Sequence, residues 1–375
     1  MALFEMALKA GNELFCAHVN YHRRESAGRD EKIVKDYCKA HGVPFRKLDV
    51  YEAEGNFQDD ARKKRYSFFA DLVKEEVLDG VLVAHHLDDH LETYLLQKEH
   101  GGLYDHFGLS ARTLIMGVPV IRPLLRKEKK ELVKYCEDNH IPYGIDESNL
   151  ADDYRRNVLR HTIIEKMTKE EKKNLCKTIR EENARREEEV RKAKQFIGRR
   201  TSFPEKEFLQ REDLTEILRQ LLYKDLSRKY LEELERQLKT SKKVSVPVRD
   251  KYLIREYGTV SVFERPEEYS YTFDAIVCGN YKHFSLRKRG KTIEAVTLKE
   301  EDFPVTVRNA KEGDEISLRY GTKKVSRFFI DRKIPLEKRM SWPVMVNKDG
   351  TVVFVSGIGC ARTHHSIHGN CFMII

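Results

Sequence analysis

Residues Gly80–Thr93 read GVLVAHHLDDHLET. Gly80–Ala84 is apolar on every side, valine-rich and too short for a helix, so it predicts a strand buried on both faces. The run behind it packs three histidines, two aspartates and a glutamate into His85–Glu92, and the pattern from Asp88 to Lys98 reads as a helix. A bare strand feeding straight into a helix is half of a βαβ unit, the building block of parallel sheets. In such sheets ligands sit beyond the carboxyl ends of the strands, which puts His85–Glu92 in a position for chemistry.

The flanks repeat the alternation. Upstream, a helix over residues 1–10 stops at Gly11. It is followed by a strand at Leu14–Val19, a helix at Asp30–His41, a strand at Phe45–Val50 and a helix at Phe57–Glu76. Downstream, Glu128–Asn139 and Tyr154–Met167 read as further helices. The expected architecture is α/β: a parallel-sheet domain over residues 1–165, a helical domain over 166–243 and a β-rich region over 244–375 with its core at 283–375. The last part shows short β-type runs such as VSVPV and VVFVSGI between Gly- and Asp-containing turns.

The 375 residues allow two or three domains. The net charge of +9 is uneven: residues 155–200 carry +8, residues 281–340 carry +7, and the remainder is acidic. Two basic segments on an otherwise acidic body suit a polyanion held away from the chemical core. A solvated helix with alternating charges explains the first segment equally well. No stretch of 18 uncharged apolar residues occurs, and the N-terminus carries no basic leader, so neither a membrane helix nor a signal peptide is expected. Seven scattered cysteines without a Cys-x-x-Cys argue against a disulfide framework, a zinc ribbon or a paired redox site, and favour a reducing, cytoplasmic setting.

Asp89 and Glu92 fall on one helix face at i,i+3 spacing, with Asp88 beside them. Such carboxylates suit a cation, either a metal ion or an ammonium group; helix capping accounts for one of the two aspartates. A metal site from His85, His86, Asp88 and His90 ranks second. His18 and Asn20, in AHVNYHRR (17–24), sit at another strand end. Arg62 and Arg65 lie one helical turn apart in DDARKKRYSFF (59–69). Arg155, Arg156, Asn157, Arg160 and His161, in DDYRRNVLRHTII (152–164), gather phosphate-type donors at a helix start.

Together with IRPLL (121–125), IPYGIDESN (141–149), VRNAKEGDEI (307–316), GTKKVSRFFIDRKIPLEKR (321–339) and WPVMVNKDGTVVFVSGI (342–358), these segments resemble the tRNA(Ile)-lysidine synthases, a family of PP-loop ATP pyrophosphatases. The resemblance implies a two-step ligation. ATP adenylates the wobble cytidine of the minor tRNA(Ile) with a CAU anticodon, and free lysine then displaces AMP. It implies ATP and Mg2+ as cofactors, with no metal site built from protein residues. It assigns Asp88, Asp89 and Glu92 to the lysine, and His18, Asn20, His85 and Arg62 to ATP. Arg65, Arg155, Arg156, Asn157, Arg160, Lys323, Lys324 and Arg327 fall to tRNA or phosphate. A catalytically inactive tRNA-binding paralogue is the alternative reading.

Three features depart from the family pattern. No Ser-Gly-Gly-x-Asp-Ser loop is present, and Met1–Leu3 corresponds to the residues just after it, so the expectation is a start lying upstream. His90 stands where the family usually has glutamine. Gln97–Thr113 lacks the usual Arg-Gly-x-Gly.

Overall fold

The computed structural model describes residues 1–22, 26–51, 57–144, 155–366 and 369–375, without the side chains of 57–59. Arg23 and Arg24, residues 145–149 of IPYGIDESN and Asp152–Tyr154 lie outside the described residues. The chain forms two compact units, Met1–Lys192 and Ala193–Ile375.

In the first unit α1 (Ala2–Lys9) ends before Gly11, whose φ of 78° is the left-handed stop its sequence position predicted. Then follow β1 (Cys16–Asn20), α2 (Ala27–Ala40), β2 (Phe45–Asp49), α3 (Phe57–Glu75), β3 (Val81–Leu82) and α4 (Leu87–His100). β1 and β2 pair in parallel, from Cys16 opposite Phe45 to Asn20 opposite Asp49. The predicted strand at Gly80–Ala84 is shorter than expected, although Val83 N–H still reaches Ile121 O at 2.9 Å.

A hairpin not read from the sequence follows: β4 (Arg112–Ile115) and β5 (Val118–Ile121). Its two-residue turn places Met116 at φ 50° and Gly117 at φ 80°, the paired positive φ values of a type I′ turn. Met-Gly is not the Asn-Gly or Asp-Gly signal that normally announces this turn. β5 lies parallel to β3 and antiparallel to β4. Among the described residues the parallel pairs therefore sit in two separately hydrogen-bonded sheets, one of them mixed.

α5 (Lys129–Asp138), α6 (Arg155–Thr162) and α7 (Lys169–Ile197) complete this unit, the last running on past its boundary. Leu91 and Tyr94 of α4 pack on Ile164 and on Ile179 of α7, so the core itself carries the helices that approach the start of α4.

In the second unit β6 (Ser202–Pro204), α8 (Glu205–Leu209), α9 (Leu214–Leu221) and α10 (Arg228–Thr240) precede β7 (Val244–Val248), β8 (Lys251–Glu256) and β9 (Thr259–Glu264). β6 pairs with β9 in a sheet of order β6-β9-β8-β7, so one sheet joins residues on both sides of position 243. Leu214, Ile217, Leu218, Leu231, Leu234 and Leu238 bury the apolar stripes of α9 and α10. Further on, Ser270–Phe273, Val305–Asn309, Pro343–Val346, Val352–Val355 and Gly359–Cys360 make a five-stranded sheet. α11 (Val325–Asp331), a helix inside the β-rich region, sinks Val325 and Phe329 into a core with Val344 and Val355. Among the described residues no helix is long and apolar enough to cross a membrane.

Candidate active site

α4 begins where β3 leaves the sheet. His86 is its N-cap in extended backbone, and its N–H donates to Asp89 Oδ2 at 2.9 Å, the return bond of a capping box. Asp89 is thus the aspartate that the capping reading required. Asp88 has another partner: the buried Lys172 of α7 donates to its Oδ1 at 2.6 Å, and the same ammonium lies 3.7 Å from Glu128 Oε2.

Glu92 is fully buried one turn on. Arg156 and Arg160, at i,i+4 on α6, both face it. Arg160 donates through Nε to Glu92 Oε1 and through Nη2 to Asp89 Oδ1, the latter at 3.2 Å. Arg156 Nε lies 3.2 Å from Glu92 Oε2 but off the hydrogen-bond line, so among the described residues that oxygen has an ion pair and no hydrogen bond. Burial pushes the Glu92 carboxyl up, against the downward pull of Arg160. Arg160 is lowered by burial and raised more by its carboxylate contacts, so it stays charged. The cation expected opposite Asp89 and Glu92 is therefore partly supplied by the chain itself.

His85 Nδ1 accepts from Arg122 Nε at 3.1 Å. Burial, helped by Arg122, Arg156 and Arg65 and opposed by Asp89, pushes this imidazole down to about 4. Burial also lowers His86 and His90. His90 Nδ1 accepts from the Leu109 N–H at 2.9 Å. A Cβ on Gly108, at φ 70°, would sit 2.5 Å from His90 Cε1, so glycine is required there. Gln97 Oε1 takes the Gly108 N–H at 2.6 Å, and Asn183 binds Phe107 N and O at 2.7 and 3.0 Å. The loop lacking Arg-Gly-x-Gly is thus held by His90, Gln97 and Asn183.

The structure gathers His85, Asp88, Asp89, Glu92, Arg156 and Arg160 at the start of α4. His18 and Asn20 sit on β1 with local partners. His18 lies against the Phe45 ring and is lowered by burial. Asn20 is buried, donates to Glu31 Oε2 at 2.8 Å and accepts from His22 N at 2.9 Å. Arg62 and Arg65 lie over the Tyr66 ring at 4.9 and 5.3 Å. Among the described residues no carboxylate pairs with Arg62, Arg65 or Arg122. Arg155 forms a fork with Glu99 at 2.5 and 3.1 Å, and Asn157 is buried. In the second unit Lys323 and Arg327 approach Asp331 at 2.8 and 3.7 Å, and Lys324 is the exposed N-cap of α11. Among the described residues no group of three His, Cys, Asp or Glu side chains is placed to hold a metal ion.

Sequence reasoning missed Arg122 and Lys172. Arg122 had a signal, because it directly follows an apolar run, as His85 does. Lys172 had none; it is one of many lysines in a charged helix.

The three histidines at α4 fix a pH dependence. Their folded values lie below the ordinary 6.5, so the unfolded chain takes up protons first as pH falls. Stability is intact above that value and is lost as pH drops below it, while Glu92, raised by burial, works weakly the other way. Lowering pH from 7.5 to 5 should drop the melting temperature of this unit by roughly 5 °C. A level melting temperature would show that these rings are not buried neutral.

Residues 1–167 match the PP-loop domain family, and residues 305–371 match the TilS substrate C-terminal domain. The tRNA(Ile)-lysidine synthase of Bacillus licheniformis is 27% identical over 425 residues, covering 93% of this chain and 84% of that protein. The tRNA(Ile)-lysidine synthase of Ureaplasma parvum is 40% identical over 170 residues, covering 44% of this chain and 50% of that protein. Among solved structures, a TilS C-terminal domain is similar at 22% identity and a TM-score of 0.23, over 28% of this chain and 93% of that one.

Proposed function

Because the chain belongs to the tRNA(Ile)-lysidine synthases, tRNA-modifying ligases with an ATP-binding PP-loop domain, we propose that it joins lysine to C2 of the wobble cytidine of the minor tRNA(Ile) with a CAU anticodon. The C2 oxygen attacks the α-phosphorus of ATP and pyrophosphate leaves; the ε-amine of lysine then attacks C2, AMP leaves, and the amine gives up a proton. The observation that carries this reading is the pair Asp89 and Glu92 held in one orientation by Arg160 at the carboxyl end of β3. Asp89, with Asp88 beside it, receives the lysine ammonium. Arg62 and Arg65, without carboxylate partners among the described residues, suit the phosphates of ATP, with His85, His18 and Asn20 toward the nucleotide. Arg155, Arg156, Asn157 and Arg160 serve the activated cytidine and its phosphates.

Among the described residues no group of three His, Cys, Asp or Glu side chains at α4 is placed as a ligand set for Mg2+. Magnesium arriving with ATP would be held chiefly by the nucleotide and would supply neutralisation of phosphate charge there. The tRNA substrate places the reaction in the cytoplasm.

The test is ATP-dependent transfer of labelled lysine to a CAU tRNA(Ile) transcript, with pyrophosphate released in step. Binding of the tRNA without transfer would leave an inactive paralogue as the better account. Lys323, Lys324 and Arg327 serve the tRNA backbone. Reversing Lys323 and Lys324 to glutamate should weaken tRNA binding about tenfold or more and reduce the salt slope by roughly 2. An unchanged slope would remove this edge of α11 from the RNA surface.

A further inference from the structure

Arg122 has no part in the lysine site, yet it is only 5% exposed and carries a charge that no carboxylate among the described residues balances. β3 and β5 run parallel with Leu82 opposite Ile121, so His85 and Arg122 leave the sheet at the same edge. Arg122 donates through Nη1 to Ser110 O and to Thr113 Oγ1, each at 2.9 Å, and through Nε to His85 Nδ1 at 3.1 Å.

A guanidinium has donors only and keeps its protons at any working pH. His85 Nδ1 is therefore the acceptor, and the single ring proton sits on Nε2. Among the described residues nothing accepts that Nε2–H, and it is not a buried orphan. Among the described residues Arg122 after β5, Arg156 of α6 and Arg65 of α3 disfavour a second proton on the ring, and Asp89 of α4 favours it. A second ring proton would meet the Arg122 N–H head-on beside those cations. The same cations attract an anionic ligand.

We infer that Arg122 is a positioning residue that holds His85 as a neutral Nε2–H donor to a phosphoryl oxygen of the bound nucleotide. His85 then acts by hydrogen bonding and not as a general acid or base. The inference rests on the nucleotide lying at this strand edge, as in the function proposed above. The low value of His85, about 4, agrees with it.

The full-length protein with 15N-labelled histidine, His85 assigned through His85→Gln, is titrated by NMR from pH 8 to 5. In the parent chain His85 should show protonated Nε2 and unprotonated Nδ1 throughout. In Arg122→Met its midpoint should rise by at least about 1 pH unit, and Arg122→Lys, which keeps a donor, should rise less. An Nδ1–H tautomer in the parent chain, or an unmoved midpoint in Arg122→Met, overturns the assignment. If Arg122→Met does not fold, the parent tautomer decides.

The ligand side is read by calorimetric ATP binding, which needs no lysine transfer. His85→Gln keeps an N–H donor and should bind ATP within about threefold of the parent, whereas His85→Leu should lose about tenfold or more. Equal losses in the two variants overturn the donor role. Failure of lysine transfer with these results intact would fault the proposed ligation and leave the assignment of Arg122 and His85 standing.

Discussion

Arg160→Ala should destabilise the N-terminal unit by about 3–5 kcal/mol. Glu92 is fully buried, and Arg160 supplies its main charge-assisted hydrogen bond as well as one to Asp89. Among the described residues, removing the guanidinium leaves the carboxylate with only the off-line ion pair to Arg156. A buried charge stripped of its partner costs more than the pair itself contributes, because water does not return to solvate it. Urea unfolding followed through a probe in this unit measures the loss. The loss should shrink at pH 5, since burial already raises Glu92 and removing Arg160 raises it further, letting it take a proton. Adding Glu92→Ala to Arg160→Ala should recover part of the stability, with an interaction energy of at least about 1 kcal/mol. A single-variant loss below about 1 kcal/mol would mean that Glu92 is reached by water.

Asp89→Ala should lower lysine transfer by about 10²–10⁴-fold while tRNA binding stays within about twofold. Asp89 has two tasks in the structure, and the substitution removes both: it accepts the His86 N–H that closes the start of α4, and its second oxygen faces Arg160. Asp89→Asn separates them. The amide oxygen still caps the helix, so most of the roughly 1 kcal/mol of cap stability should return, whereas an uncharged side chain no longer balances an ammonium. Melting near the parent temperature with transfer still lost is the expected pattern. Parent-level transfer by Asp89→Asn would show that the carboxylate charge is not used.

Much of the chemistry was legible because its signals are local. The alternation of short apolar runs with helical periods places His85–Glu92 at a strand end, and capping logic anticipates that one of the two aspartates closes the helix start, as Asp89 does through the His86 N–H. Gly11 marks its helix stop because only a left-handed residue without Cβ suits that position. The hairpin at Met116 and Gly117 went unread because its turn residues carry weak local preference, and pairing with β3 overrides it.

What the sequence by itself determined is the order of elements in the first 165 residues apart from the β4–β5 hairpin, the α/β class and the set of groups that can carry charge at α4. Only the tertiary structure decided how those charges are matched. Asp88 meets Lys172 across 84 positions, Glu92 meets Arg160 across 68, and His85 meets Arg122 across 37. Spacing along the chain holds no information about such pairs. The first two are set when Leu91, Ile164 and Ile179 pack into one core and bring α6 and α7 against α4, and the third when β5 pairs with β3; low dielectric there makes each match or mismatch of charge count.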